Sequence, residues 1–282
     1  MLTARVIPVL HVKGPNLVKG IHLEGLRVLG KPEAFARHYY EQGADELIFL
    51  DIVASLYGRN NLEEIVRRVA DQVFIPLTVG GGVRSVEDAQ RLLRSGADKV
   101  AVNTAAVRRP ALLRELAEAV GSQAVVVYVE AKERGGWWEC LTDNARERSG
   151  QGVLEWIQEA VSLGAGEVLL CSVDRDGTGL GYDLELTRRV SDAVTVPVVA
   201  LGGAGNPEHC VQVLKEGKAD AVAAASLFHY PIVNELNAGG ESPEGNTEFL
   251  EGRRGAAHQR RWRGGLREVK EAIAKGEMAV RW

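Results

Sequence analysis

The chain has 282 residues, 45% of them hydrophobic and 26% charged, which suits one large domain able to bury a core without staples. Its formal net charge of −4 argues against nucleic acid or an anionic membrane as a partner. Cys140, Cys171 and Cys210 lie far apart with no metal-ligand or CxxC spacing, so they are expected to be reduced thiols of a cytoplasmic protein with no metal site and no cofactor.

The first residues, Met1-Leu2-Thr3-Ala4-Arg5, lack the basic-then-apolar layout of a signal peptide and lead straight into an apolar run at 6–10. Seven more short apolar runs follow, at 46–50, 75–79, 99–102, 124–129, 167–171, 196–201 and 221–224. Near-continuous apolar runs are expected of parallel strands covered on both faces. Amphipathic stretches separate them, at 33–42, 62–72, 86–95, 110–120, 152–163, 184–193 and 207–216, and Ser85-Val86-Glu87-Asp88 has capping-box spacing. Eight alternations predict an α/β fold, a single (β/α)8 TIM barrel. No run approaches the roughly 20 apolar residues that span a bilayer.

The second half repeats the first. Thr78-Val79-Gly80-Gly81-Gly82 matches Ala200-Leu201-Gly202-Gly203-Ala204, and Ala97-Asp98-Lys99-Val100-Ala101-Val102-Asn103-Thr104 matches Ala219-Asp220-Ala221-Val222-Ala223-Ala224-Ala225-Ser226. Both matches have the same separation, 78 to 200 and 97 to 219, so the barrel reads as two (β/α)4 halves. Residues 231–265 break the pattern with a Gly/Ser/Pro-rich stretch and then a basic one around Trp262. They read as an insertion in the single domain 1–282, either a variable surface loop or a docking element anchored by Trp262, before a last helix at about 266–275.

Two glycine-rich loops, Gly80-Gly81-Gly82 and Gly202-Gly203-Ala204-Gly205, each follow a strand and precede one ending in a small polar residue, Asn103-Thr104 or Ser226. Loops after strands 3–4 and 7–8 of a barrel can bring backbone N–H groups to an oxyanion. Related by the repeat, they suggest two phosphates on opposite sides of the mouth; the bland alternative is a pair of tight turns. Asp51 and Glu130 end strands, Asp174 and Asp176 follow one, and His11 ends the first, where the repeat sets it against Glu130. Ionisable groups at the C-terminal ends of strands belong to the active face, although a lone histidine is more often structural. At the opposite ends stand Arg5, Glu46, Lys99 and Glu167. Buried charges must be paired, so these four could close a ring at the bottom, either a plug or a gate for a small neutral molecule.

Together these motifs, with Val18-Lys19-Gly20, Phe49-Leu50-Asp51-Ile52 and Asp174-Arg175-Asp176-Gly177-Thr178, resemble the HisF family, the cyclase subunits of imidazole glycerol phosphate synthase. The resemblance covers residues 1–230 and resumes at about 266. It implies a barrel that takes ammonia from a HisH-like glutaminase docked on its N-terminal face near Asp98. That ammonia would attack a bisphosphorylated ribulosyl substrate in histidine biosynthesis. By matching motif, Lys19, Asp51, Asn103 and Asp176 would line the substrate. Gly82, Thr104, Gly177, Gly203 and Ser226 would hold phosphates, and Arg5, Glu46, Lys99 and Glu167 would form the ammonia gate. His11 and Glu130 stand where the family pattern has two catalytic aspartates. Cys171 and Leu201 replace small hydroxyl residues, and residues 143–149 depart from the usual basic loop. Three other readings remain open. One is a HisF-like paralogue supplying ammonia for amidination of a surface-glycan sugar. Another is a sugar-phosphate isomerase on the same barrel, and the last is a non-catalytic scaffold that activates a glutaminase.

Overall fold

A computed structural model describes residues 3–54, 62–236 and 262–282. All eight expected runs form strands of one closed parallel barrel. In chain order they are β1 (Arg5–Lys13), β4 (Leu47–Asp51), β5 (Leu77–Gly80), β6 (Lys99–Val102), β7 (Val125–Glu133), β10 (Glu167–Ser172), β11 (Val198–Leu201) and β12 (Ala221–Ala224). Each pairs with the next, and β12 closes on β1 through Arg5↔Ala221 and Ile7↔Ala223. Outward residues such as Val6, Leu10, Leu47 and Val100 meet the surrounding helices. Inward residues such as Ile7, Val9, Ile48, Val126, Leu169 and Val199 fill the barrel itself. The period of two along each strand sorts the two sets, because successive side chains point to opposite faces.

One turn recurs where a helix hands over to a strand on the N-terminal face. Asp45 takes the Val6 N–H at 2.8 Å, Asp98 takes Leu77 N–H at 2.8 Å and Asp220 takes Val198 N–H at 2.9 Å. In each case the aspartate's own N–H returns to the same residue's carbonyl. Gly-Ala-Asp writes this turn at 43–45 and 96–98, with the glycine in the left-handed region; Lys218 occupies that region at φ 55 in the third copy. Asp98 therefore serves the barrel's own backbone, whatever else it touches.

Four strands have no counterpart among the predicted runs. β2 (Asn16–Ile21) and β3 (Glu24–Gly30) form an antiparallel hairpin after β1; β8 (Trp138–Thr142) and β9 (Glu147–Gly152) form another after β7. β1 and β7 each open one half of the barrel, so the repeat extends to these hairpins, although their sequences have diverged. Both rise over the C-terminal mouth. The capping box at Ser85 and Asp88 is formed. Where the sequence suggested an insertion from 231, helix α9 (Ser226–Leu236) continues through Pro231 as far as Leu236. The rest of that stretch, including Arg253, Arg254, Arg260 and Arg261, lies outside the described residues. Trp262 is half-buried against the outer core, and α10 (Leu266–Lys275) follows as expected. No helix among the described residues is long and apolar enough to cross a membrane.

Candidate active site

The mouth holds a cavity of about 220 Å³ between the ends of β4, β5, β6 and β7. Asp51, Gly82, Asn103, Thr104 and Glu130, all singled out in the sequence, line it together. Asp51 is turned by its own loop, its Oδ1 accepting the Val53 N–H at 3.0 Å. Burial pushes its carboxyl up, against the Val53 and Ala54 N–H groups. Gly81 has φ 104, and a Cβ there would lie 2.5 Å from the Asp51 carbonyl, so the loop depends on glycine to follow that backbone. Thr104 Oγ1 accepts the Asp143 N–H at 2.9 Å, and Asn103 Nδ2 donates to Leu141 at 3.2 Å. Arg84 and Arg108 complete a cationic rim.

Gly177, Gly203 and Ser226 stand apart from this cavity, at the ends of β10, β11 and β12. The loop after β10 lies directly on the second glycine-rich loop: Gly181 N–H donates to the Gly203 carbonyl at 2.8 Å, and a Cβ on Gly203 would sit 2.1 Å from the Gly181 oxygen. The two loops are thus equivalent in the sequence but differ in setting.

Lys19 on β2, His11 on β1 and Asp176 in the loop after β10 are all buried, and none of the three lines the cavity. Lys19 Nζ lies 2.8 Å from Asp176 Oδ2 and also donates to the Gly20 carbonyl at 2.8 Å. The Leu23 N–H donates to the same carboxylate at 3.1 Å. Burial pushes Asp176 up, but Lys19, His11 and the Leu23 N–H outweigh it and hold the carboxyl below its ordinary value. His22 Nδ1 on the Val173 carbonyl, Asn144 Nδ2 on the Leu23 carbonyl and a small apolar contact of Leu23, Leu141 and Val173 pin the hairpin down. Asp174 takes no part in the cavity; it binds Lys132 and the Glu133 N–H at the rim.

His11 sits on β1 and Glu130 on β7, the first and fifth barrel strands, so the two face one another across the mouth. Burial lowers the His11 pKa to about 4, reinforced by Lys19 and opposed by Asp176, so the imidazole is neutral at pH 7. Its Nε2 is buried with no hydrogen-bond partner among the described residues, as is Asn103 Oδ1. Buried polar atoms left open this way suit a ligand. Glu130 is raised to about 7 by burial, against hydrogen bonds from the Ala145 N–H and the side chains of Tyr128 and Asn103. Its Oε2 accepts from Ala145 N at 2.7 Å.

At the other end of the barrel the four expected charges form a closed ring. Arg5 reaches Glu46 and Glu167 at 2.7 Å each, and Lys99 reaches Glu46 at 3.2 Å and Glu167 at 2.9 Å. Every cation touches both carboxylates. The ring stands at the base of the apolar shaft that leads up to the mouth, and an open depression on the N-terminal face exposes Arg5, Lys99 and Glu167 from below.

The family model described as "Histidine biosynthesis protein" matches residues 5–234. Imidazole glycerol phosphate synthase subunit HisF of Legionella pneumophila is 57% identical over 209 residues, 74% of this chain and 99% of that protein. The subunit of the same name from Geobacillus kaustophilus (strain HTA426) is 54% identical over 232 residues, 82% of this chain and 92% of that protein. The chain belongs to the HisF family.

Within this HisF-family barrel the histidines at 11 and 229 have a consequence for stability. His11 at about 4 and His229 at about 3 are both neutral when folded. His229 is held there by burial and by His11, while Tyr39 Oη lies 2.6 Å from its Nδ1 and Val9 O 2.9 Å from its Nε2. Each gains its proton near 6.5 once unfolded. A depressed base contributes stability that is present above the unfolded pKa and lost as pH falls toward the folded one. Urea unfolding at pH 7 and pH 5 is expected to differ by roughly 3–4 kcal/mol from these two groups together. His11→Gln should shrink the fall in stability from pH 7 to pH 5 by about half of that amount, and the same fall in variant and wild type would contradict the assignment.

Tyr128, Arg84 and Arg108 were not visible as site residues from motifs. Tyr128 carried a signal all the same. It lies two positions before Glu130 in a run of valines and so shares the inward face of that strand.

Proposed function

We propose that this chain is the ammonia-using cyclase subunit of an imidazole glycerol phosphate synthase in histidine biosynthesis, working with a glutaminase docked on its N-terminal face. One observation carries the reading: a closed ring of two cations and two carboxylates guards one end of the barrel interior, and a cavity lined by Asp51, Asn103 and Glu130 occupies the other. A sugar-phosphate isomerase has no use for such a floor. Ammonia enters where Arg5 and Lys99 part from Glu46 and Glu167, then rises between apolar side chains. Phe74, 76% exposed on the same face and edge-on to Tyr40, supplies an apolar anchor for the partner.

At the mouth, the first glycine loop with Thr104 holds one phosphate, and Gly177, Gly203 and Ser226 hold the other. Lys19 and Asp176 reach the substrate once the β2–β3 hairpin lifts. Glu130, titrating about neutrality, is suited to take a proton at one step and return it at another. Neutral His11 serves as a hydrogen-bond partner through the open Nε2 and supplies no charge.

The test is turnover of the ribulosyl bisphosphate substrate with ammonium salt, and separately with glutamine plus the glutaminase. Both are expected for the wild type. Glu167→Gln unbalances the ring, so glutamine-driven turnover should fall about tenfold or more while ammonium-driven turnover stays within about twofold. Equal losses in both assays would remove the gate. No turnover with either nitrogen source, restored by His11→Asp with Glu130→Asp, would point to amidination of a different phosphorylated acceptor. That second reading is favoured by the uncharged side chains of His11, Tyr128, Cys171 and Leu201.

A further inference from the structure

A glutamate reaches about one methylene further than an aspartate, and a reacting group misplaced by about 1 Å can lose about 100-fold in rate. A chain using Glu130 therefore needs something to fix where that longer carboxylate sits. Two features do so. The first is the turn joining β8 to β9, where Asp143, Asn144 and Ala145 all lie in the left-handed region, at φ 53, 58 and 59. Aspartate and asparagine tolerate that region, but alanine there is strained. The strained turn aims the Ala145 N–H at Glu130 Oε2, 2.7 Å away. Asp143 and Asn144 are buried, and Asp143 is tied to Arg108 at 2.5 Å, so the surroundings hold the conformation.

The second feature is Tyr128. It is a large polar side chain among inward-facing apolar residues such as Val9, Ile48, Leu169 and Val199. Register places it beside Leu169, with Glu130 two residues on beside Cys171, so Tyr128 and Glu130 point inward one above the other. Both line the mouth cavity. A buried phenol needs a hydrogen-bond partner; Cys171 and Glu130 both stand near it, and the carboxylate is the stronger acceptor.

We propose that Tyr128 is a positioning residue for Glu130: its hydroxyl, from below, and the Ala145 N–H, from the rim, clamp the longer carboxylate in the orientation from which it exchanges a proton with the ligand. This rests on the cyclase reading for the identity of the reaction, but not for the clamp itself. The hydroxyl stabilises the ionised carboxylate, so its loss raises the Glu130 pKa. Phenylalanine keeps the ring and its packing.

Two measurements on Tyr128→Phe test it. In the ammonium-dependent assay kcat should fall about tenfold, the scale of one lost hydrogen bond, with KM within about twofold. The ionisation governing kcat/KM should move upward from about 7. Independently of any substrate, carbon-13 NMR of carboxyl-labelled glutamate follows Glu130 directly, its signal assigned by its absence in Glu130→Gln. That titration should move to higher pH in Tyr128→Phe. An unmoved titration overturns the clamp. A moved titration with unchanged kcat overturns its part in turnover. A wild-type chain inert toward the substrate, yet with a Tyr128-dependent titration, overturns the cyclase reading alone.

Discussion

Glu130→Gln is expected to lower ammonium-driven turnover by about 10²–10⁴-fold, the range that a lost general acid–base group produces. Glutamine keeps the length and can still accept from Ala145 N, so the fold and the cavity should persist; only the exchangeable proton is lost. The wild-type profile should contain an ionisation near 7 that the variant lacks. Stability supplies a second, opposite-signed signature. A carboxyl raised when folded contributes stability that is fully present below its unfolded value, near 4.5, and lost as pH rises through about 7. The variant should therefore lose less stability between pH 4.5 and 8 than the wild type, by roughly 3 kcal/mol. Denaturation curves at those two pH values, beside initial rates, check both halves. Full activity in the glutamine variant would remove Glu130 from the chemistry.

Asp176→Ala should produce the largest loss of stability, about 3–5 kcal/mol, because it leaves the Lys19 ammonium buried with the Gly20 carbonyl as its one hydrogen-bond partner among the described residues. It also strips the Leu23 N–H of its acceptor. Both groups that lose their partner, the Lys19 ammonium and the Leu23 N–H, belong to the β2–β3 hairpin, so the damage should concentrate there, visible as faster amide exchange across residues 16–30. Lys19→Met with Asp176→Leu removes both charges and should restore most of the stability, since a buried pair replaced by apolar groups of similar volume is often neutral. The double variant should nevertheless stay inactive if these residues hold substrate. Recovery of turnover in it would reduce Lys19 and Asp176 to a strut.

The barrel was legible because its signals repeat. Eight apolar runs, two glycine loops and two Ala-Asp handovers at one spacing all require the same closed parallel sheet. The floor was legible for a related reason: Arg5, Glu46, Lys99 and Glu167 each begin or precede an apolar run, and charges placed there must find one another. The mouth was less so. The hairpins at 16–30 and 138–152 are short, with irregular alternation and polar edges, and their strandedness comes from docking on β1 and β7. The closeness of Lys19 to Asp176, 157 positions apart, follows from that docking and from no local pattern. Tyr128 escaped notice because a motif search treats an aromatic in a valine run as core, which by packing it also is.

The ring on the floor sums to zero charge, with every carboxylate already shared between two cations. Such a doorway offers an ion no gain: an ammonium ion would have to displace Lys99 or Arg5 from both of its carboxylates at once, whereas an uncharged amine needs only room. On the proposed route, nitrogen would therefore leave its extra proton on the far side. It would then climb between the apolar side chains of the shaft and meet Glu130, raised to about 7, only at the level of the mouth.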